Sequence, residues 1–173
     1  EINSGIQFYD GITTAEIQEI LIKSASDLIE LESPNYQFVA ARLLLFGVRK
    51  KLWGRIHEAP SLGNHITKCI REGVYDPHFT SKYTDQEIDE LDSYIDHDRD
   101  YMFTYAGLRQ VTDKYLVQDR STGDLYETPQ FMYIMIAATM FSEYPQETRL
   151  DYVKRYYDAC LLYTSDAADD TCC

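Results

Sequence analysis

The spacing of apolar residues along this chain predicts helices over most of its length. After Thr13, apolar residues recur every three or four positions for several turns, which gives the predicted helix one apolar face. Glu16 follows Thr13 at the spacing of a capping box, so we expect the helix to begin at Thr13 or Thr14. A Ser-Pro pair at residues 33–34 predicts the start of a second helix, and Gly54 predicts its end.

The same signals predict five more helices and one hairpin. The predicted helices span approximately residues 61–73, 84–97, 99–112, 128–143 and 146–159. Before the fourth of them, the runs YLVQ and LYE flank the polar segment DRSTGD, whose glycine suits a turn, so two short strands are expected. The sequence therefore predicts a mainly α protein, with helical bundle-like domains and one β-hairpin at about residues 114–127.

The net charge, the apolar runs and the cysteine content of the chain exclude some classes of partner and indicate a cellular location. The net charge of −13 argues against a nucleic-acid binder, which would need a basic face. No apolar run approaches the roughly 20 residues of a membrane span, so no membrane partner is expected. Three of the four cysteines lie in the last 14 residues, which leaves only Cys69 in the body of the chain. One cysteine makes no disulfide framework, so we expect a reducing, cytoplasmic location.

Two clusters of polar residues contain side chains that can ligate a metal ion. The run DHDRD at residues 96–100 could ligate an ion, but consecutive helical residues point in different directions, so caps and helix dipoles are the favoured interpretation. His65 and Cys69 are four residues apart and could share a metal, but a third ligand is lacking. The sequence also contains no P-loop, HExxH motif or nucleophile elbow. We therefore predict no catalytic residue and no metal ligand in this chain.

The two ends of the sequence differ in character from its body. From Cys160 the segment CLLYTSDAADDTCC loses the helical period of the preceding QETRLDYVKRYYDA. It resembles a translated sequencing adapter, so we expect residues 160–173 to be foreign to the fold. A natural acidic tail is the alternative, and a metal site at the final cysteine pair would lack a neighbouring histidine. Because the chain has no initiator methionine, we also expect that a segment precedes Glu1.

Five stretches of the body resemble one enzyme family. IQFYDGITTAEIQEILIKSASDLI and YQFVAARLLLFGVRKKLWG resemble the second half of an ATP-cone, a regulatory nucleotide-binding module of many ribonucleotide reductases. YTDQEIDELDSYIDHDRDYMFTYAGLRQ, KYLVQDRSTGDLYETPQFMYIMIAATMF and YPQETRLDYVKRYYDA resemble the α-helical N-terminal domain of the class Ia ribonucleoside-diphosphate reductase large (α) subunit. The resemblance implies that residues 1–54 are the C-terminal part of a cone and residues 55–159 the helical domain, with residues 160–173 outside both.

The resemblance also implies what the parent protein does. Members of the family reduce ribonucleoside diphosphates to deoxyribonucleotides by radical chemistry, with a metal-containing small (β) subunit that supplies the radical. The large subunit forms a homodimer, and ATP and dATP act as its allosteric effectors. The family's active-site cysteines and its barrel follow the region that this chain resembles. The fragment itself is therefore expected to be inactive and to hold no cofactor.

Four residues are predicted to line part of the effector site. Thr14 and Lys50 match family positions that contact the effector nucleotide, and Ile17 and Gln18, one turn after Thr14, would face the same pocket. A helix N-terminus at Thr14 offers free N–H groups to a phosphate, and Lys50 offers a positive charge. Well-studied bacterial members have histidines where this chain has Gln18 and Gly47. From the residues alone, Thr14 as a cap and Lys50 as a dipole partner are the favoured alternatives.

Two other classes of function are compatible with part of these features. One is a stand-alone ATP-cone that senses nucleotides in a regulator, which would need a zinc ribbon or a DNA-binding segment that residues 55–159 do not contain. The other is a purely structural interaction domain, which describes the expected local role of residues 61–159. The enzyme fragment, regulatory and structural, is the leading hypothesis.

Overall fold

The computed structural model describes residues 9–166, with side chains described as far as Cys160. Residues 1–8 of the predicted cone and residues 167–173 of the predicted foreign tail lie outside the described part. Within it the chain forms α-helices α1 (Thr14–Ser26), α2 (Tyr36–Trp53), α3 (Leu62–Arg71), α4 (Phe79–Lys82), α5 (Asp85–Tyr94), α6 (Tyr105–Gln110), α7 (Pro129–Met140) and α8 (Gln146–Asp166). A 3-10 helix (His97–Met102) precedes α6, and a π-helical turn (Val111–Tyr115) follows it. The predicted mainly α class is confirmed.

The predicted hairpin is smaller than expected. Its first residues belong to the π-helical turn Val111–Tyr115, and the strand-like pairing within residues 9–166 is one antiparallel bridge between Gln118 and Leu125. The ladder does not lengthen because the N–H of Val117 donates to the side-chain carboxylate of Glu127 at 2.9 Å and not to a backbone carbonyl, although the carbonyl of Val117 accepts the N–H of Tyr126 at 2.9 Å. The connection is therefore a tight turn closed by one bridge, and the prediction of two strands is wrong in extent.

Local capping decides where the main helices begin and end. Thr13 caps α1, and Glu16 completes the predicted capping box with the N–H of Thr13 at 2.8 Å. A second capping box, formed by Thr84 and Glu87, begins α5. Gly54 adopts a left-handed conformation (φ 71°) and donates its N–H to the carbonyl of Lys50 at 3.0 Å, which ends α2. The helix starts predicted at Thr13 and at residue 84 are confirmed, whereas α2 begins at Tyr36 with Asn35 as its N-cap, two residues after the Ser-Pro pair that predicted its start.

Some predicted helices have other limits. The predicted helix 99–112 is divided, because Thr104 adopts an extended conformation and caps α6 through the N–H of Gly107 at 3.2 Å. The segment before it winds as the 3-10 helix. At the other end of the chain α8 continues from Gln146 to Asp166, past the predicted end at Ala159, because no proline or glycine stops it there. The origin of residues 160–173 stays a prediction.

One hydrophobic core joins the first helices to the last. It extends from Ile22 in α1 through Leu45 in α2 to Phe131 in α7 and Tyr157 in α8, and the last three are completely buried. Helix α2 packs against α1 on one side and against α6 and the 3-10 helix on another. Residues on both sides of Gly54 thus share a core, while the assignment of residues 1–54 and 55–159 to two named domains stays a prediction. No helix within residues 9–166 is both long and apolar enough to cross a membrane.

Candidate functional site

The N-terminus of α1 is the first part of the predicted effector site. Thr14 is the first helical residue and is exposed, whereas the cap is its neighbour Thr13. The capping box uses the N–H of Glu16, and the N–H groups of Thr14 and Ala15 have no acceptor within residues 9–160. The carboxylate of Glu16 also accepts the hydroxyl of Tyr9 at 2.8 Å. The hydrogen bonds that the carboxylate of Glu16 accepts from the N–H and the hydroxyl of Thr13, together with that from Tyr9, lower the pKa of Glu16, so a negative charge remains close to the free N–H groups.

Gln18 lies between α1 and α2 instead of facing solvent. Its side-chain amide donates a hydrogen bond of 2.5 Å to the carbonyl of Leu43. The backbone of Gly47 lies beside the same side chain, and a Cβ added at Gly47 would meet the Cγ of Gln18 at 3.3 Å. Gln18 and Gly47 are therefore neighbours across the two helices.

The contact of Gln18 with α2 determines which residues of the two helices lie opposite each other. Thr14 lies one turn before Gln18, and Lys50 lies one turn after Gly47. The two helices follow each other in sequence and pack against each other, which favours an antiparallel pair, in which these two steps lead to the same end of the pair. Lys50 is exposed and forms no ion pair within residues 9–160, while Ile17 is half-buried. The participation of all four residues in one pocket stays a prediction.

Arg49, next to Lys50, was not predicted and is the most elaborately bound side chain in this region. It is 2% exposed and forms an ion pair of 3.0 Å with the carboxylate of Asp100. Its guanidinium also donates to the carbonyl of His97 and to the hydroxyl of Tyr101, the latter at 3.2 Å. The rings of Tyr101 and Trp53 lie 5.0 and 5.3 Å from the guanidinium carbon. Ionic, hydrogen-bonding and cation–π contacts thus hold one buried cation.

The buried ion pair continues as a chain of hydrogen bonds into α7 and α8. The second carboxylate oxygen of Asp100 accepts the side-chain amide of Gln130 at 2.8 Å. The carbonyl oxygen of that amide accepts the hydroxyl of Tyr157 at 2.5 Å, and this hydroxyl accepts the N–H of Asp96 at 3.2 Å. Burial raises the pKa of Asp100 to about 6, and Gln130 and Arg49 oppose that rise by stabilising the carboxylate.

One sequence signal could have indicated Arg49. It follows Leu45 by four residues and precedes Leu52 by three, so a cation occupies a position on the apolar face of the helix. An arginine at such a position needs a buried acceptor. Its partner Asp100 is 51 residues away and carries no comparable signal, because acidic residues surround it in the sequence.

The acidic run at residues 96–100 has separate structural roles. Asp96 caps the 3-10 helix by accepting the N–H of Asp98 at 3.0 Å, and Arg99 pairs with a carboxylate of α8 at 2.8 Å. His97 lies among aromatic rings, where burial and the charge of Arg49 lower its pKa to about 4. The side chains diverge, as expected for consecutive helical residues. No group of three potential metal ligands converges in the described part of the chain.

His65 and Cys69 belong to a second buried polar group. The imidazole stacks on Phe131 at 4.1 Å between ring centroids and contacts the thiol at 3.7 Å. The hydroxyl of Tyr75 bonds to the carboxylate of Glu127 and lies 3.1 Å from the imidazole. Burial lowers the pKa of His65 to about 4 and raises that of Cys69 to about 11. The thiol is therefore protonated near neutral pH, and such a thiol is a poor nucleophile.

Comparison with known proteins identifies the family. The family described as "Ribonucleotide reductase, all-alpha domain" matches residues 101–162. Over 159 residues the chain is 53% identical to ribonucleoside-diphosphate reductase 1 subunit alpha of Escherichia coli (strain K12). The aligned segment covers 92% of this chain and 21% of that protein. The corresponding alpha subunit of Haemophilus influenzae is 51% identical with the same coverage, and that of enterobacteria phage T4 is 45% identical over 161 residues.

These matches agree with the resemblance that the five sequence stretches indicated. The aligned segment includes most of the chain, and it spans about one fifth of the length of these relatives. Because relatives about half identical align along 92% of the sequence, the chain belongs to the ribonucleoside-diphosphate reductase large (α) subunit family.

Proposed function

We propose that this chain is a regulatory and structural region of a ribonucleotide reductase large subunit. The parent enzyme would be an oxidoreductase that reduces ribonucleoside diphosphates to the deoxyribonucleotides required for DNA replication. The observation that carries the proposal is the 53% identity to a subunit of that name over 92% of this chain. Within residues 9–160 the thiol of Cys69 is buried and its pKa is raised, which suits a core position and not redox chemistry.

The regulatory part of the proposal is that ATP and dATP bind at the ends of α1 and α2. The N–H groups of Thr14 and Ala15 would face a phosphate, Lys50 would neutralise part of its charge, and Gln18 would form the wall between the helices. The carboxylate of Glu16 repels a phosphate at this position. A cation at the end of α2 is therefore needed to offset that repulsion, and exposed Lys50 suits the role.

The structural part of the proposal rests on α7. This helix is apolar on nearly every face, and its residues 129–135 are all buried. Ile136 and Met140 lie one turn apart and are 43% and 55% exposed. A helix that is apolar all round usually lies inside a larger protein. We therefore assign the helical region a supporting role for the remainder of a large subunit, which would act in the cytoplasm as a homodimer with a small (β) subunit.

The effector site is tested best with two neighbouring lysines. In the complete subunit that contains this region, Lys50→Ala is expected to weaken ATP or dATP binding by about 1–3 kcal/mol, the scale of a charge-assisted contact. Lys51→Ala removes the same charge from the same helical turn and serves as the matched control, because a neighbouring position points about 100° away. Calorimetric titration measures both affinities. Equal losses would indicate a general charge effect, and no loss in Lys50→Ala would remove this site.

A further inference from the structure

Two adjacent cations near the end of α2, Arg49 and Lys50, lie in different environments. Arg49 is 2% exposed and is directed into the core, whereas Lys50 is exposed. Both side chains belong to the same rigid helical turn, which ends at Trp53. Any rotation of α2 that displaces the guanidinium of Arg49 therefore rotates Lys50 through the same angle.

The groups that surround Arg49 restrict the rotation of α2 about its axis. The carboxylate of Asp100 and the carbonyl of His97 bind the guanidinium from the 3-10 helix, and two aromatic rings enclose it. Asp100, which is 1% exposed, is held in turn by Gln130 and, through it, by Tyr157, both completely buried. A planar guanidinium donates in fixed directions, so these bonds are satisfied at one orientation of α2.

The ion pair of Arg49 with Asp100 contributes more to the relative orientation of the helices than to the free energy of unfolding. The desolvation of two buried charges offsets most of their attraction, and apolar side chains of similar size would often stabilise a core as well. Directional bonds, by contrast, select one arrangement of the helices. A rotation of α2 by 20° would move a group about 6 Å from the helix axis by about 2 Å. That displacement is enough to break a hydrogen-bonded contact between Lys50 and a phosphate.

We infer that the Arg49–Asp100 pair is a positioning device for the effector site: it sets the rotation of α2 and thereby the place of Lys50 against the nucleotide. The inference rests on the proposed effector site. Arg49 touches no ligand in this arrangement and acts only through the helix that it shares with Lys50. The chain of bonds through Gln130 and Tyr157 ties the same helix to α7 and α8.

The test removes the pair without leaving a buried charge. Asp100→Asn alone would leave Arg49 unpaired and could prevent folding, so the principal variant combines Arg49→Met with Asp100→Asn, which keeps an acceptor for Gln130. The control is Glu87→Gln, which weakens another buried ion pair of the described residues, Glu87 with Arg149 at 2.5 Å. That pair joins α5 to α8, and its hydrogen bonds and the cation–π contact of Arg149 with Tyr83 within residues 9–160 do not involve α2. All variants are made in the complete subunit.

Two measurements separate positioning from general loss of stability. Hydrogen exchange followed by mass spectrometry should show faster exchange in residues 46–53 of the double variant, by about tenfold. Its affinity for ATP should fall about fivefold, which corresponds to partial loss of one charge-assisted contact. In Glu87→Gln, exchange should rise in α5 or α8, and ATP affinity should stay within about twofold of the wild type.

Each alternative outcome has one meaning. If the double variant binds ATP as tightly as the wild type while Lys50→Ala binds more weakly, the effector site stands and the positioning role is wrong. An equal loss of affinity in Glu87→Gln also overturns the positioning role, because destabilisation alone then explains the effect. If Lys50→Ala leaves the affinity unchanged, the proposed effector site fails, and the inference about Arg49 and Asp100 fails with it.

Discussion

The contact between Gln18 and Gly47 leads to a quantitative prediction for a double-mutant cycle. Alanine is more stable than glycine inside a helix by about 0.5–1 kcal/mol, so Gly47→Ala would stabilise α2 if space were available. The new Cβ would lie 3.3 Å from the Cγ of Gln18, a distance that requires a shift of a few tenths of an ångström. Gln18 cannot shift freely, because its amide is bound to the carbonyl of Leu43. Weakening that bond costs about 0.5–1.5 kcal/mol, which cancels the helical gain.

The prediction is therefore that Gly47→Ala changes the free energy of unfolding by less than about 0.5 kcal/mol in the wild type. In a Gln18→Ala background the same substitution should stabilise by about 1 kcal/mol, since the obstructing side chain is gone. The difference, a coupling of about 1 kcal/mol, is measured by urea unfolding at a constant m-value.

Gly63→Ala in α3 is the matched control for this cycle. A Cβ at Gly63 would meet the side chain of Ile88 at 3.6 Å, an ordinary contact, and Gln18 is not among its neighbours. It should stabilise by the same amount, up to about 1 kcal/mol, in both backgrounds. If Gly47→Ala also stabilises equally in both backgrounds, Gln18 does not occupy the space beside Gly47, and its placement between the two helices is wrong.

Two further outcomes are expected. Burial lowers the pKa of His65 and of His97 from 6.5 to about 4, so both imidazoles are neutral in the folded protein near neutral pH. Below pH 6.5 the unfolded chain binds protons at these histidines that the folded protein does not, so the free energy of unfolding declines as the pH falls from 6.5 toward 4. The loss of unfolding free energy amounts to at most about 3 kcal/mol for each histidine, and it is partly opposed by Asp100 and Glu127, whose pKa values burial raises. His97→Phe should therefore make the unfolding free energy, measured by urea unfolding at a series of pH values, fall less steeply on the acid side. An unaltered slope would contradict the burial of a neutral imidazole. The purified chain should not convert CDP to dCDP, even with a competent small subunit and a reductant, and chromatography of the products measures this conversion. Detectable dCDP would require a catalytic apparatus that this region is not expected to contain.

Local signals were sufficient wherever the interactions are local. The capping boxes at Thr13 and Thr84 and the left-handed Gly54 each involve residues within four positions of one another. Their geometry therefore follows from residue type and spacing, and the helix starts could be predicted. The predicted positions Thr14 and Lys50 are likewise found at helix ends, although whether they share a nucleotide depends on how the helices meet.

The limits of other elements depended on the surrounding structure. The apolar period of residues 99–112 suits one continuous helix, but Asp100 is directed to Arg49, and the chain winds as a 3-10 helix at that point. Thr104 then begins a new helix. The hairpin is reduced to one bridge because Glu127 binds the N–H of Val117 with its side chain. In each case a side-chain partner distant in sequence, or across a turn, competes with the regular backbone pattern.

The amino-acid sequence by itself determined the helical class, the helix starts that carry a side-chain cap such as Thr13 and Thr84, and, through resemblance, the family, because these depend on short-range spacing and on residue identity along the chain. Only the tertiary structure decided which side chains meet. The contact of Gln18 with Leu43 joins residues 25 positions apart, and the pair of Arg49 with Asp100 joins residues 51 positions apart. No period along one helix specifies such partners, because they depend on the rotation and crossing of two helices, which the packing of the whole core sets.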